Sequence, residues 1–530
     1  MIDTKRATSG PKMVPLPHEY KELSTDLAEN EKWFREQFAN TTDIVFREFY
    51  MGEIRCLGIW VDGLINGRIS LDVFHSMMLD ASLEGVHKAQ PQERANYVEH
   101  HILPFYAVLQ VQDLIELRRW VMMAKMALLI EGSSIALVLD AESTPARSIS
   151  EPVLESVVMG PRDAFVEVLR INTALVRTRL GDPQLKTENY IIGRRSNTLV
   201  TLMFIEDLAD PAVIQEVRRR LTRIDRDMIL DTAPVTESIQ DRPFSLFPIL
   251  KHTERPDKVV ADLTEGRFAL FVDGTPLVIT GPSVFVEFMQ TAEDYYINPI
   301  IATSIRFLRY LSLFFATALP AIYVAITSFH VEMLPIPLVF SVAGARELVP
   351  FPAFVESLIL LLVFEILVEA GIRLPRVVGG AVNIVGALIL GQAAVQAGLI
   401  SPILVIIIAG TAISNFVLGS GYELSTAVRV IRIFALTASA VFGLYGLTLV
   451  IIAVLIHMAG LRSFGVPYLA PWAPFDLAGM KDVIYRTPWW SMEQRPDFIS
   501  NRNVERDKTP EPNDAGMPDD RASIRDRKKG

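Results

Sequence analysis

The sequence predicts an α/β soluble region of two subdomains at the N-terminus, followed by an all-α polytopic transmembrane bundle. Two observations point there. Lys and Asp are scattered through the first 300 or so residues, yet neither occurs between Tyr310 and Leu461. That same interval carries apolar stretches close to the roughly 20 residues a helix needs to cross about 30 Å of hydrocarbon. A soluble domain would not dispense with two of its commonest surface residues, whereas a membrane region would. Over 530 residues the contrast is averaged into 50% apolar content and a mean hydropathy of +0.30.

Composition also excludes several classes of function. A net charge of −10 is mild for this length and argues against nucleic acid as a partner. The single cysteine, Cys56, excludes a disulfide framework and a Cys-based zinc site. Residues Met1 to Glu31 are polar and charged, without the apolar core of a signal peptide, so the N-terminal region is expected to remain cytoplasmic.

The soluble half is read as an extension over 1–41, a first α/β subdomain over 42–156 and a second over 157–300. In the first, Ile54–Val61 and Ser134–Asp140 are predicted strands and Leu71–Ser82 a helix. In the second, helices are predicted over Asp163–Arg179 and Pro211–Arg226, the latter with Asp210 as N-cap and Pro at its first position. Thr198–Ile205 is a predicted strand, and Arg267–Val272 with Pro276–Thr280 a hairpin around Asp273-Gly274. The echo of Trp60-Val61-Asp62-Gly63 in Phe271-Val272-Asp273-Gly274 hints at related units.

Five stretches in the transmembrane region, 301–465, are long enough to span: Phe307–Phe329, Phe354–Ile372, Val377–Leu399, Pro402–Leu418 and Ile433–Leu461. A sixth apolar piece, Leu334–Ala345, is too short and is bracketed by prolines, which suggests a re-entrant segment near 334–352. Arginines flanking the spans alternate between loops, with Arg306, Arg309, Arg373, Arg376, Arg429 and Arg432 on one side, which places the N-terminus inside. Five spans would put the C-terminal tail (466–530, disordered after about 501) outside, and a crossing by the Leu334 region would reverse that.

Candidate functional residues are few. The arginines from Arg218 to Arg226 lie opposite a predicted buried stripe of Ile214, Val217, Leu221 and Ile224, so they read mainly as a solvated face. No phosphate-binding loop, His-Glu-x-x-His motif or dinucleotide fingerprint is present, so no catalytic, cofactor or metal site is assigned and the chain is not expected to be an enzyme. Glu365 and Glu369 sit mid-span at i, i+4, with Arg373 one turn further. A charge in hydrocarbon costs several kcal/mol, about 3 on insertion scales, so such residues face a bundle interior or water. Two readings stand side by side: a structural Glu–Glu–Arg column, or an ion pathway ringed by carboxylates. In the next span Ala387, Gly391, Ala394 and Gly398 form small-xxx-small pairs, and Asn383, Gln392 and Gln396 add polar groups. Close helix packing and a water-lined face are the alternatives there.

Several motifs recur in order. They are Gly160-Pro161-Arg162-Asp163-Ala164-Phe165-Val166-Glu167, Arg177-x-Arg179, Ile192-Gly193-Arg194-Arg195-Ser196, Thr253-Glu254-Arg255-Pro256-Asp257 and Val272-Asp273-Gly274-Thr275-Pro276. In the membrane half they continue as Val349-Pro350-Phe351-Pro352, Glu369-Ala370-Gly371-Ile372-Arg373-Leu374-Pro375, Gly391-Gln392-Ala393-Ala394-Val395-Gln396-Ala397-Gly398 and Gly465-Val466-Pro467-Tyr468-Leu469. In order and spacing the chain resembles the A subunit of GerA-type spore germinant receptors, over roughly residues 43–496. It departs at Val157-Val158-Met159, where many members carry Val-Arg. The resemblance implies a receptor in the inner membrane of a bacterial endospore, working with a transporter-like B subunit and a lipoprotein C subunit. It further implies A subunits that assemble with themselves, as a pentamer, into a nutrient-gated cation channel. The alternatives are a germination amplifier like stage V sporulation protein AF and a passive membrane scaffold. Five unequal spans without internal similarity argue against a secondary transporter.

Overall fold

The computed structural model describes residues 20–79, 86, 89–103, 108–141, 152, 155, 157–373, 391–418, 422–499 and 502–506. The chain divides into two compact units, Met1–Ile149 with Val168–Asn189, and Ser150–Glu167 with Tyr190–Gly530.

The first unit is built on strands β1 (Ile44–Met51), β2 (Ile54–Val61), β3 (Val108–Val111), β4 (Met126–Ile130) and β5 (Ala136–Leu139), in the order β1-β2-β4-β5-β3 with every neighbouring pair antiparallel. Both faces of its central strands are buried. Leu57, Ile59, Ala127 and Leu129 enter one core, and Cys56, Met126, Leu128 and Ile130 the other. Burial on both faces makes β4 a continuous apolar run rather than an alternating one. Helices α1 (Leu27–Gln37), α2 (Gly67–Leu79), α3 (Leu114–Met122) and α4 (Leu169–Arg179) complete the unit, with Asp26 and Asp113 capping α1 and α3. Arg177 of α4 is buried and donates from Nε to Asp43 (2.6 Å) and from Nη2 to the Leu185 carbonyl (2.7 Å), a structural clamp.

The second unit contains β7 (Thr198–Ile205), β8 (Lys251–Thr253), β9 (Phe268–Val272) and β10 (Val278–Gly281), and β6 (Leu185–Ile192) carries the chain into it. The sheet order is β6-β7-β9-β10-β8. Helices α5 (Pro211–Thr222), α6 (Thr232–Ile239) and α7 (Pro256–Thr264) connect the strands. Val213, Ile214, Val217 and Leu221 of α5 pack on Val200, Leu202 and Phe204. Helix α5 stops four residues short of the predicted end, and α4 begins at Leu169 rather than Asp163. Residues before α4 are extended instead: the Phe165 amide donates to the Glu254 carbonyl and Glu167 accepts from the Gly274 amide, each at 2.8 Å.

The two sheets share one plan: two strands, helix, strand, helix, two strands, with identical spatial order. The sequence echo does not mark this relation. Trp60–Gly63 ends β2, whereas Phe271–Gly274 ends β9, and the counterpart of β9 is β4, which ends at Ile130-Glu131-Gly132.

From Pro299 to Ala459 the described residues are mainly helical. The long elements are α8 (Pro299–Ser328), α9 (Ile336–Arg346), α10 (Ala353–Arg373), α11 (Pro402–Val417) and α12 (Tyr422–Ala459), the last broken into two helices at Gly443, where φ is +60°. Among the described residues only α8 and Glu423–Ala459 of α12 are both long and apolar enough to cross a membrane. Helix α10 has the length but carries Glu356, Glu365 and Glu369. Most of the third predicted span lies outside the described residues. The fifth begins at Tyr422, eleven residues before the predicted Ile433, because Arg429 and Arg432 are helical. Small residues let α8 and α12 approach closely, with Ala318 and Ala321 packed on Ala435. Beyond α12 the chain returns to the second sheet. Ser463 Oγ accepts from the Ser283 amide (3.1 Å) and donates to the Ile249 carbonyl (2.6 Å), and the Phe285 amide donates to the Tyr468 carbonyl (2.8 Å).

Candidate functional site

At the foot of α8 lies a group of buried charges. Asn298 caps the helix by accepting from the Ile300 amide (2.9 Å), and Pro299 opens it. Two turns in, Arg306 and Arg309 point back at Asp294, which is completely buried. Asp294 Oδ2 accepts from Arg306 Nε (3.0 Å) and Arg309 Nη1 (2.7 Å), while Oδ1 accepts from Arg309 Nη2 (2.7 Å) and Thr291 Oγ1 (3.0 Å). Arg306 Nη1 also reaches Asp482 at 2.8 Å, and the Tyr295 hydroxyl donates to that carboxylate at 2.6 Å. Burial alone would raise the Asp294 pKa, but the hydrogen bond from Arg309 and the charges of Arg309 and Arg306 outweigh it and hold it below the usual range. Two arginines and two aspartates thus neutralise one another where the helical region leaves the sheet. The sequence reading took Arg306 and Arg309 as flanking charges that set orientation. They are also paired and buried.

A second group sits within the bundle. Glu365 of α10 lies 3.2 Å from Arg429 Nη1 and 3.9 Å from Arg432 Nη1, both on α12. Arg432 is buried, donates from Nε to the Ala316 carbonyl of α8 (2.6 Å) and from Nη2 to Asn415 of α11 (3.3 Å). Glu365 is therefore held by an ion pair that ties four helices together. Sequence reasoning placed Arg429 and Arg432 in a loop. Their i, i+3 spacing, which sets both on one helix face, was the available signal.

Glu369, one turn further along α10, is exposed, as are Leu362 and Ile366 on the same helix. The side chain of Arg373, and all of Asn383, lie outside the described residues. Glu356, nine residues before Glu365 on α10, is fully buried. It accepts a hydrogen bond from the Ser401 amide ahead of α11, and Arg346 lies 3.8 Å from its other oxygen. Ser401 in turn caps α11 through the Leu404 amide (3.3 Å).

The small and polar residues of the third span divide by face. Ala394 packs with Leu404 and Ile408 of α11, and a Cβ on Gly391 would come within 4.0 Å of Val405. Gln392 and Gln396 are exposed. Gly398 has φ +67°, the left-handed conformation that ends a helix, and a Cβ there would lie 3.3 Å from the Leu348 carbonyl. Its role is helix termination. Among the described residues no group of three His, Cys, Asp or Glu side chains is placed to hold a metal ion.

Comparison with known proteins supplies the context for this arrangement of paired buried charges and an exposed acid. The chain is 42% identical to spore germination protein KA of Bacillus subtilis over 497 residues, covering 92% of this chain and 90% of that one. It is 36% identical to spore germination protein GerLA of Bacillus cereus, covering 91% and 97%. An uncharacterised membrane protein of Bacillus subtilis, YfkQ, is 38% identical over 91% and 93%. Among solved structures, the N-terminal domain of the A subunit of the Bacillus megaterium germinant receptor GerK3 matches 51% of this chain and 99% of its own at 28% identity, with a TM-score of 0.41. The family profile of the Bacillus/Clostridium GerA spore germination protein matches residues 32–498. The chain belongs to the GerA family of spore germination proteins, among the A subunits of germinant receptors.

Proposed function

We propose that this chain is the membrane subunit of a germinant receptor and assembles with copies of itself, as a pentamer, into a nutrient-gated cation channel. Opening of that channel would release ions at the start of germination. The observation that carries the reading is Glu369, exposed beside Leu362 and Ile366 on an apolar helix. A carboxylate facing hydrocarbon is costly, and copies arranged around a water-filled axis remove that cost by placing each Glu369 in water. A ring of carboxylates then favours cations over anions. The exposed Gln392 and Gln396 are suited to the same polar lining. Glu365, bound to Arg429 and Arg432, positions α10 in this scheme rather than carrying ions.

The transporter-like B subunit and the lipoprotein C subunit complete the receptor in the inner membrane of the endospore, with the α/β units cytoplasmic. Helix α8 departs from the second sheet's subdomain and the chain returns to it after α12. Both ends of the bundle therefore belong on one side, which favours an even number of crossings over the five spans counted from sequence.

Ion selectivity of the reconstituted receptor in a planar bilayer tests the reading. The wild-type reversal potential should report cation preference, and Glu369→Lys should weaken or invert it. An unchanged potential would make the membrane acids structural and favour the passive scaffold.

A further inference from the structure

A basic cavity of about 440 Å³ opens between α5, the turn that follows it and the end of α6. Arg219, Arg220, Arg223 and Arg226 line it together with Glu216, Asp225 and Asp241. Glu216 is shared by Arg219 (2.6 Å) and Arg220 (2.7 Å), Arg220 also meets Asp241 (2.5 Å), and Arg226 meets Glu237 (3.2 Å). Asp225 is bound by Arg194, so five arginines in all face the four carboxylates Glu216, Asp225, Glu237 and Asp241, and Arg223 forms no ion pair among the described residues. The surplus is one positive charge beside pairs that range from half-buried at Arg220 to solvent-exposed at Arg226, and an exposed pair is weak enough to exchange for another anion.

The position of this cavity relative to the last membrane helix is fixed by contacts within the same unit. Asp241 accepts from the Phe464 amide (2.6 Å), and the Arg220 guanidinium lies 4.4 Å from the centre of the Phe464 ring. Phe464 follows closely on Ala459, where α12 ends. The Ser245 hydroxyl is 3.2 Å from His457 Nε2 in the last turns of α12, and Phe247 is buried with Met458 and Leu461. The loop from Asp241 to Leu246 is therefore level with the end of the helix. Between those two anchors Phe244 is 99% exposed and Leu246 47% exposed, with Arg242 exposed beside them. Aromatic residues next to cations are characteristic of the zone where hydrocarbon meets headgroups.

We propose that this loop and cavity form a binding site for an anionic phospholipid: Phe244 and Leu246 enter the acyl boundary, and Arg223 with its neighbours takes the headgroup phosphate. The site rests on the reading of α12 as a membrane-crossing helix and not on ion conduction. Apolar contact and phosphate recognition lie side by side here, which suits a lipid rather than a free anion.

The test uses the full chain. Cys56 is buried, and burial pushes its thiol up to about 12, so it stays unlabelled and a single introduced cysteine reports its own position. A nitroxide on Phe244→Cys in nanodiscs of phosphatidylcholine with phosphatidylglycerol should be more accessible to oxygen than to a water-soluble nickel complex. The same label at Val441→Cys on α12 reports whether that helix lies in the bilayer. Native mass spectrometry in detergent should find dioctanoyl phosphatidylglycerol retained over the phosphatidylcholine analogue. Arg223→Gln with Arg226→Gln should lower that retention about fivefold, while Lys32→Gln in the first unit should not. A lipid-like signal at 441 with a water-like signal at 244 would overturn the site and leave the membrane reading standing. A water-like signal at 441 would overturn both. Inorganic phosphate displacing the lipid at equal concentration, or disulfide linkage of Phe244→Cys between copies, would also overturn the assignment.

Discussion

The buried charges at the foot of α8 and those inside the bundle use the same residue types for opposite ends. At the foot, Asp294 and Asp482 meet Arg306 and Arg309 with every carboxylate bonded, and the group holds the chain where it turns from sheet to membrane helix. Within the bundle the two acids differ in exposure. Glu365 is tied to Arg429 and Arg432, whereas Glu369, one turn away, is exposed on an otherwise apolar helix. Mutual satisfaction marks charges that secure a fold. An exposed charge on an apolar helix surface is one that water or another subunit would cover in the assembly proposed above.

The comparison breaks most easily at Asp294. Asp294→Ala leaves two arginines buried without their shared partner, a loss of about 3–5 kcal/mol, so the protein should fall to trace levels in the membrane by blot. Its pH dependence has a definite sign. Because the Asp294 pKa is lowered on folding, its contribution is complete above the ordinary carboxylate pKa and fades as pH falls through the folded value. Thermal unfolding of the detergent-solubilised wild type should therefore lose stability on acidification below about pH 4.

Next in size is Glu365→Ala, which removes the carboxylate beside the buried Arg432 and should cost about 2 kcal/mol, since Glu365 is itself 28% exposed. Unfolding temperature and protein level should drop together. Gly398→Ala forces a side chain into a left-handed position near the Leu348 carbonyl and should cost about 1 kcal/mol. At Gly391 the contrast is between sizes. Alanine meets only Val405 at 4.0 Å and should be tolerated, while leucine should impair folding or assembly. Equal tolerance of both at Gly391 would remove the packing argument for that face.

Much of this architecture was legible in the sequence, and the failures have physical causes. Strand β7 was read with its observed ends because its apolar run is bounded by polar turns, and the Asp210 cap fixed the start of α5. The duplicated sheet plan was hinted at by the wrong pair of segments, because strand order depends on long-range pairing that a local Asp-Gly echo does not report. The start of α12 was placed eleven residues late because Arg429 and Arg432 looked like loop charges. Only the partner on α10 reveals why they can lie inside. Glu365 and Glu369 were singled out as a pair, but spacing along one helix cannot say which of two acids a neighbouring helix will claim. The role of Glu356 depends on Ser401, 45 residues away, a contact that no local spacing reports. The return of the chain to the second sheet after α12 was beyond reach for the same reason.

The central claim is that Glu369 serves permeation while Glu365 serves structure, and one paired measurement separates them. Monovalent-cation release from germinant-triggered spores can be compared with receptor level by blot in strains carrying Glu369→Gln or Glu365→Gln. Glu369→Gln keeps size and hydrogen bonding without the charge, so release should slow severalfold at an unchanged receptor level, whereas Glu365→Gln should lower release and level together. Normal release from Glu369→Gln spores at normal receptor level would contradict the account.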